Sequence, residues 1–185
     1  MTLLVVGLVL FIGVHLIPSV VPLRAALIAR LGLKPYRGLF SLVALAGLVL
    51  VVWGFACAPF EPLYTPPAWG RQVAMVAVPV ALVLFVAANM PTHIRAVLRH
   101  PMLLGVLLWA TAHLLSNGDL RSVMLFGSFA GFAVFDLVSV EVRGKRPSTG
   151  KAPRLAMDGA AIVTGLVVAV LLTVFHATLF GVPAI

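Results

Sequence analysis

Residues Arg99–Asp119 read RHPMLLGVLLWATAHLLSNGD. Pro101 suits the first turn of a helix, where its missing N–H is not needed. Asn117-Gly118-Asp119 is a turn signal, and Gly118 suits a helix C-terminus. Between these limits the stretch carries no formal charge and one histidine, His113. A helix over 101–117 spans about 26 Å, close to a hydrocarbon core. The stretch predicts a membrane helix with Arg99 and His100 at its mouth and His113 deep inside. The two histidines lie about 20 Å apart and about 220° around the axis, so one small site cannot use both from this helix.

The whole chain agrees with this reading. Its 185 residues are 62% hydrophobic and only 10% charged, with a mean hydropathy of +1.17. A water-soluble domain of this length needs far more polar surface. The composition predicts an all-α membrane protein, a single bundle of six transmembrane helices. The net charge of +8 does not point to nucleic acid, because the charges sit between apolar runs, where orientation rules place them. Cys57, the single cysteine, cannot form an intrachain disulfide. It reads as a small apolar residue near a helix end. The N-terminus lacks the basic region of a signal peptide, so the first segment is expected to stay as a span.

The spans are expected at about 3–21, 39–58, 72–90, 101–117, 120–138 and 155–180, within one domain, 1–185. Residues 23–33, with Arg24 and Arg30, form an amphipathic basic piece suited to the lipid interface. Pro59–Trp69 holds four prolines and reads as a non-helical loop with belt aromatics. Pro79 is expected to kink the third span. Gly127 and Gly131 read as a Gly-x-x-x-Gly face for close helix approach. Glu141–Arg154 reads as a polar loop.

Ionisable groups inside a membrane are functional candidates. The deep ones are His15, His113 and His176, with Asp119 and Asp136 near span ends. Neutral imidazole is the cheapest of these to bury, and it is the form that ligates a metal or haem iron. No buried carboxylate or cysteine completes a four-ligand zinc set. Haem needs only one or two axial histidines and an apolar slot, which Trp109, one turn before His113, could line. Arg99 and His100 suit a haem propionate or lipid phosphates. Pro18 leaves the Val14 carbonyl without its helical donor.

Several motifs together resemble the NnrU family of six-span bacterial membrane proteins. They include Gly13-Val14-His15, Tyr36–Leu42, Pro66-Pro67-Ala68-Trp69, Arg99-His100-Pro101-Met102, Trp109–Leu115, Asn117-Gly118-Asp119, Asp136 and His176 with Gly181-Val182. The resemblance implies a bacterial inner-membrane protein connected with denitrification and nitrite and nitric oxide metabolism. That family is similar to 15-cis-zeta-carotene isomerase, a haem b membrane enzyme. This second resemblance implies haem b as cofactor. It implies His15 and His113 as iron ligands and a redox or isomerase-like role; depth along the spans does not choose between His113 and His100, so His100 and His176 stay as alternates. The chain departs from the isomerase at Ala110, where that enzyme has a cysteine used in ligand exchange. It also lacks the proline after the histidine that matches His176. An alternative is a cofactor-free assembly factor or small transporter, with the histidines as structural groups or a proton relay. Arg99-His100-Pro101 also resembles membrane methyltransferases that use S-adenosylmethionine. The lipid bilayer and haem are the expected partners, and the residues name no protein partner.

Orientation follows from the basic residues. Eleven of the thirteen lysines and arginines fall in the loops after spans one, three and five. Only Arg71 and Arg121 fall on the other side. The positive-inside rule puts those three loops in the cytoplasm and both termini in the periplasm. Reporter fusions after Ile185 and within Ser148–Lys151 should read periplasmic and cytoplasmic respectively. A cytoplasmic signal after Ile185 would overturn this orientation.

Overall fold

The computed structural model describes residues 1–144 and 151–181. Lys145, Arg146 and Ser148 of the expected loop, and Val182 of the C-terminal motif, lie outside the described residues. The protein is an all-α membrane protein. Its helices are α1 (Thr2–Leu16), α2 (Val21–Leu31), α3 (Leu33–Cys57), α4 (Gly70–Ala87) and α5 (His93–Leu98), then α6 (Pro101–Leu114), α7 (Leu120–Val142), α8 (Leu155–Val174) and α9 (His176–Phe180). Among the described residues five segments are long and apolar enough to cross a membrane: Thr2–Ser19, α3, α4, α7 and α8. Large apolar side chains such as Leu42, Val76 and Val163 face outward, as a lipid solvent requires.

The boundaries depart from expectation for local reasons. α6 stops at Leu114 and is about 21 Å long. It ends because Ser116 and Asn117 turn back on the His113 carbonyl with their backbone N–H groups, and the Asn117 amide adds a third bond of 2.9 Å. α3 begins six residues before the expected start. Gly32, at φ 82°, breaks the chain after α2, and Pro35 lies in the first turn of α3, where no N–H is missed. α1 closes in a 3-10 turn over Ile17–Ser19 at Pro18. The Val14 carbonyl there is taken by the Ile17 N–H. The link expected over 91–100 contains α5, capped by the Thr92 hydroxyl, which accepts from Arg95 N at 3.0 Å. The last span breaks at Phe175 into α8 and α9.

The helices pack in the order α3, α1, α7, α6, α4, α8. α1 and α3 lie backbone to backbone. A Cβ at Gly7 would come within 2.5 Å of Val51 N, and one at Gly47 within 2.7 Å of Phe11 N. Gly54 meets the backbone of Leu4 in the same way. Gly165 of α8 lies against Val83 of α4, and Gly105 of α6 against Phe85 and the Ala81 carbonyl. Gly127 and Gly131 are not such a face: nothing stands within 4 Å of a Cβ at either. The expected Gly-x-x-x-Gly contact on α7 is therefore corrected. Close approach is made by glycines on α1, α3, α4, α6 and α8, where a neighbouring backbone or ring stands against them.

One end of the bundle is closed by the proline-rich loop. Leu63 and Tyr64 donate their N–H groups to the Gly118 carbonyl at 2.7 and 3.0 Å, and Leu120 N donates to Glu61 O at 2.8 Å. The Tyr64 hydroxyl donates to the Leu114 and Asn117 carbonyls. Desolvation, and then the Asp119 carboxylate, raise the phenol above its ordinary pKa. It therefore remains a donor at neutral pH.

Gly54→Ala and Gly47→Ala should each destabilise the protein by about 1–3 kcal/mol through overpacking. Gly127→Ala and Gly131→Ala should be neutral or stabilising by up to about 1 kcal/mol, from helix propensity alone. Thermal unfolding in detergent separates the two pairs; equal losses in all four variants would refute this packing.

Candidate functional site

The two deep histidines sit at the same level of chemistry on different helices. His15, on the last turn of α1, places Nδ1 2.6 Å from the Phe11 carbonyl. His113, on the last turn of α6, places Nδ1 2.8 Å from the Trp109 carbonyl. A carbonyl only accepts, so each Nδ1 carries the proton and donates. Each Nε2 is left as a lone pair. This is the tautomer of a histidine that ligates through Nε2, with its other nitrogen held by a second partner.

The rings around them form a continuous series. His113 stacks on Phe126 of α7 with centroids 4.4 Å apart and 22° between planes. Trp109 touches Phe126 at 5.0 Å and Phe129 at 5.6 Å. Phe129 meets Phe11 at 5.6 Å, and Phe11 lies 4.4 Å from His15. His15 also meets Phe40 of α3 and Phe132 of α7. Phe126, Phe129 and Phe132 recur every third residue and share one side of α7. The six-residue step from Phe126 to Phe132 offsets the two histidines by about 9 Å along that helix. Phe129, Phe11 and Trp109 fill the space between the imidazoles. The phenylalanine stripe was readable as an i, i+3 pattern, but the adjacent glycines gave the competing signal.

His176 lies on α9 and meets the Phe180 ring at a tilt, with centroids 4.8 Å apart. It is an electrostatic neighbour of His113, so these two come to the same end of the bundle. Ala110 is fully buried. Cys57 is the last residue of α3 and is exposed. Among the described residues no group of three or more His, Cys, Asp or Glu stands together as a metal set.

Arg99 and His100 stand elsewhere, at the opposite end of α6. Both face Glu141 near the end of α7. Arg99 Nη1 is 3.7 Å and His100 Nε2 3.6 Å from the carboxylate oxygens. His100 Nε2 is buried and makes no hydrogen bond. The sequence places Glu141 in a loop, but α7 runs on to Val142, and that extension makes Glu141 their counter-charge.

Asp119 and Asp136 are structural pivots. Asp119 caps α7: its carboxylate accepts from Ser122 N at 3.1 Å and Ser122 Oγ at 2.6 Å, and it pairs with Arg121. Arg121 donates to the Phe55 and Ala58 carbonyls that end α3, and lies over the Phe55 ring. Asp136 accepts from Ser19 Oγ at 2.5 Å and pairs with Arg143. Arg143 donates to the Pro18 carbonyl at 2.8 Å. These bonds hold α1 and α3, and with them His15, at a set height beside α7.

The family described as NnrU protein matches residues 3–184 of this chain. No curated protein matches it, and no solved structure does.

Selective 15N-histidine labelling of the protein in detergent should show two imidazoles with protonated Nδ1 and unprotonated Nε2. His15→Gln and His113→Gln should each remove one. Nε2–H tautomers at both positions would overturn the arrangement.

Proposed function

Because the chain belongs to the NnrU family, we propose an integral membrane protein of nitric oxide metabolism that holds a b-type haem between its helices. It lies in the bacterial inner membrane, crosses it six times and has both termini in the periplasm. The observation that carries the haem reading is the pair of imidazoles whose Nδ1–H is fixed on the carbonyl one turn back. That bond orients each ring and leaves Nε2 basic. The donor chemistry fits haem, and the surrounding rings supply an apolar lining. His113 is the first ligand, with Trp109 and Phe126 beside it. His15 is the second, and a bis-histidine site requires Phe129 and Trp109 to part. His176 and His100 are the alternates. When bound, the group supplies a redox-active iron able to take a small ligand such as nitric oxide. The chain's own residues orient the imidazoles, fix their planes and exclude water.

The packed rings between His15 and His113 also favour a second reading, a cofactor-free protein in which both histidines are structural. Detergent-purified protein, supplemented with haem during expression, separates the two. The haem reading expects a Soret band that His113→Ala abolishes. With both histidines on iron, His15→Ala converts a low-spin spectrum to a high-spin one that binds carbon monoxide. If both single mutants fold and keep the wild-type spectrum, the iron sits on His100 or His176. Absence of a Soret band in the wild type supports the cofactor-free reading.

A further inference from the structure

A cleft of about 270 Å³ opens between α1, α2 and α3, on the far side of Phe40 from His15. It runs from Val9 and Val43 at one end to Leu27, Leu31 and Tyr36 at the other, its mouth, and Val9 is exposed, so the cleft is open along its side. Val43 lies seven residues beyond Tyr36 on one helix, so the cleft runs about 10 Å along the α3 axis. Every lining side chain is apolar except Tyr36. That side chain is 7% exposed, and its hydroxyl is buried without a hydrogen bond. A buried hydroxyl left unpaired costs about 1–3 kcal/mol, so its place at the mouth of an open cleft points to an acceptor on an occupant. Gly13 also lines the cleft, and nothing stands within 4 Å of a Cβ built there.

The mouth is basic. Arg24 shares a face of α2 with Leu27 and Leu31. Arg30 lies one residue before Leu31, and Lys34 and Arg37 flank Tyr36. All four are exposed, and none pairs with a carboxylate among the described residues. An apolar shaft, one hydroxyl at its rim and a ring of unpaired cations outside it match an anionic amphiphile. We propose that this cleft binds one anionic glycerophospholipid. An acyl chain fills the shaft, an ester carbonyl accepts from Tyr36, and the phosphate faces Arg24, Arg30, Lys34 and Arg37. The basic face of α2 and the positive-inside orientation put the site in the cytoplasmic leaflet, where such a lipid is held against free exchange. The site is independent of the haem reading, since it shares with the histidines only the ring of Phe40.

Native mass spectrometry of the detergent-purified protein, titrated with phosphatidylglycerol or phosphatidylcholine, tests it. Wild type should keep one phosphatidylglycerol, with a preference over phosphatidylcholine of about tenfold or more. Gly13→Leu fills the shaft from a position with open space and should lose that lipid without a fall in thermal stability. Tyr36→Phe should weaken retention by about 3- to 10-fold. Replacing Arg30, Lys34 and Arg37 by Gln should abolish the headgroup preference. Equal retention of both lipids by the wild type would mean a neutral occupant or plain solvation by bulk lipid and overturns the proposal. Wild-type retention by folded Gly13→Leu overturns it too.

Discussion

Helix ends inside or near a bilayer leave carbonyls that water cannot reach, and this protein answers that constraint with arginine. Arg121 donates to the end of α3, Arg143 to the end of α1, and Arg95 to the Ala88 carbonyl that ends α4. Each places a cation where the helix dipole is negative, so charge and hydrogen bonding act together. The short α6 has no such arginine. Its carbonyls are taken by Ser116 and Asn117 of its own chain. Two of the three arginines sit at the two ends of α7, which makes α7 the helix that sets the height of its neighbours.

The site inherits its geometry from this pinning. Arg143 and Asp136 hold the turn after α1, one turn from His15. Asp119 and the loop clamped on Gly118 hold the turn after α6, close behind His113. A Cβ at Gly118 would run into the Tyr64 carbonyl, so loop and turn fit only with glycine there. The imidazoles are thus fixed from the ends of their helices, while phenylalanines of α7 fill the level between them. The glycine contact of α1 with α3 adds Phe40 beside His15.

The end of the bundle at the start of α6 has a different character. Arg99, His100 and Glu141 form a loose cluster with spacings of 3.6 and 3.7 Å, too long for strong hydrogen bonds. His93 and Asp158 join α5 to the first turn of α8 at 2.6 Å. Among the described residues the basic side chains of α2 and of the start of α3 pair with no carboxylate and are exposed.

Much was legible without coordinates. Long apolar runs, proline and glycine punctuation and the distribution of lysine and arginine decide that the chain is a helical membrane bundle. They also place His15 and His113 on separate helices. Those signals are local, and a bilayer permits few other solutions for such runs. What only the tertiary structure decided is which faces meet. Gly127 and Gly131 have the spacing of a contact face yet meet nothing, whereas Gly7, Gly47 and Gly54, far apart in the chain, pack against backbone. Glu141 reads as loop until α7 extends far enough to bring it to Arg99 and His100. A helix can turn any side toward its neighbours at little local cost. The choice is made by where backbones come closest and where unpaired carbonyls find a donor, and both depend on residues remote in sequence.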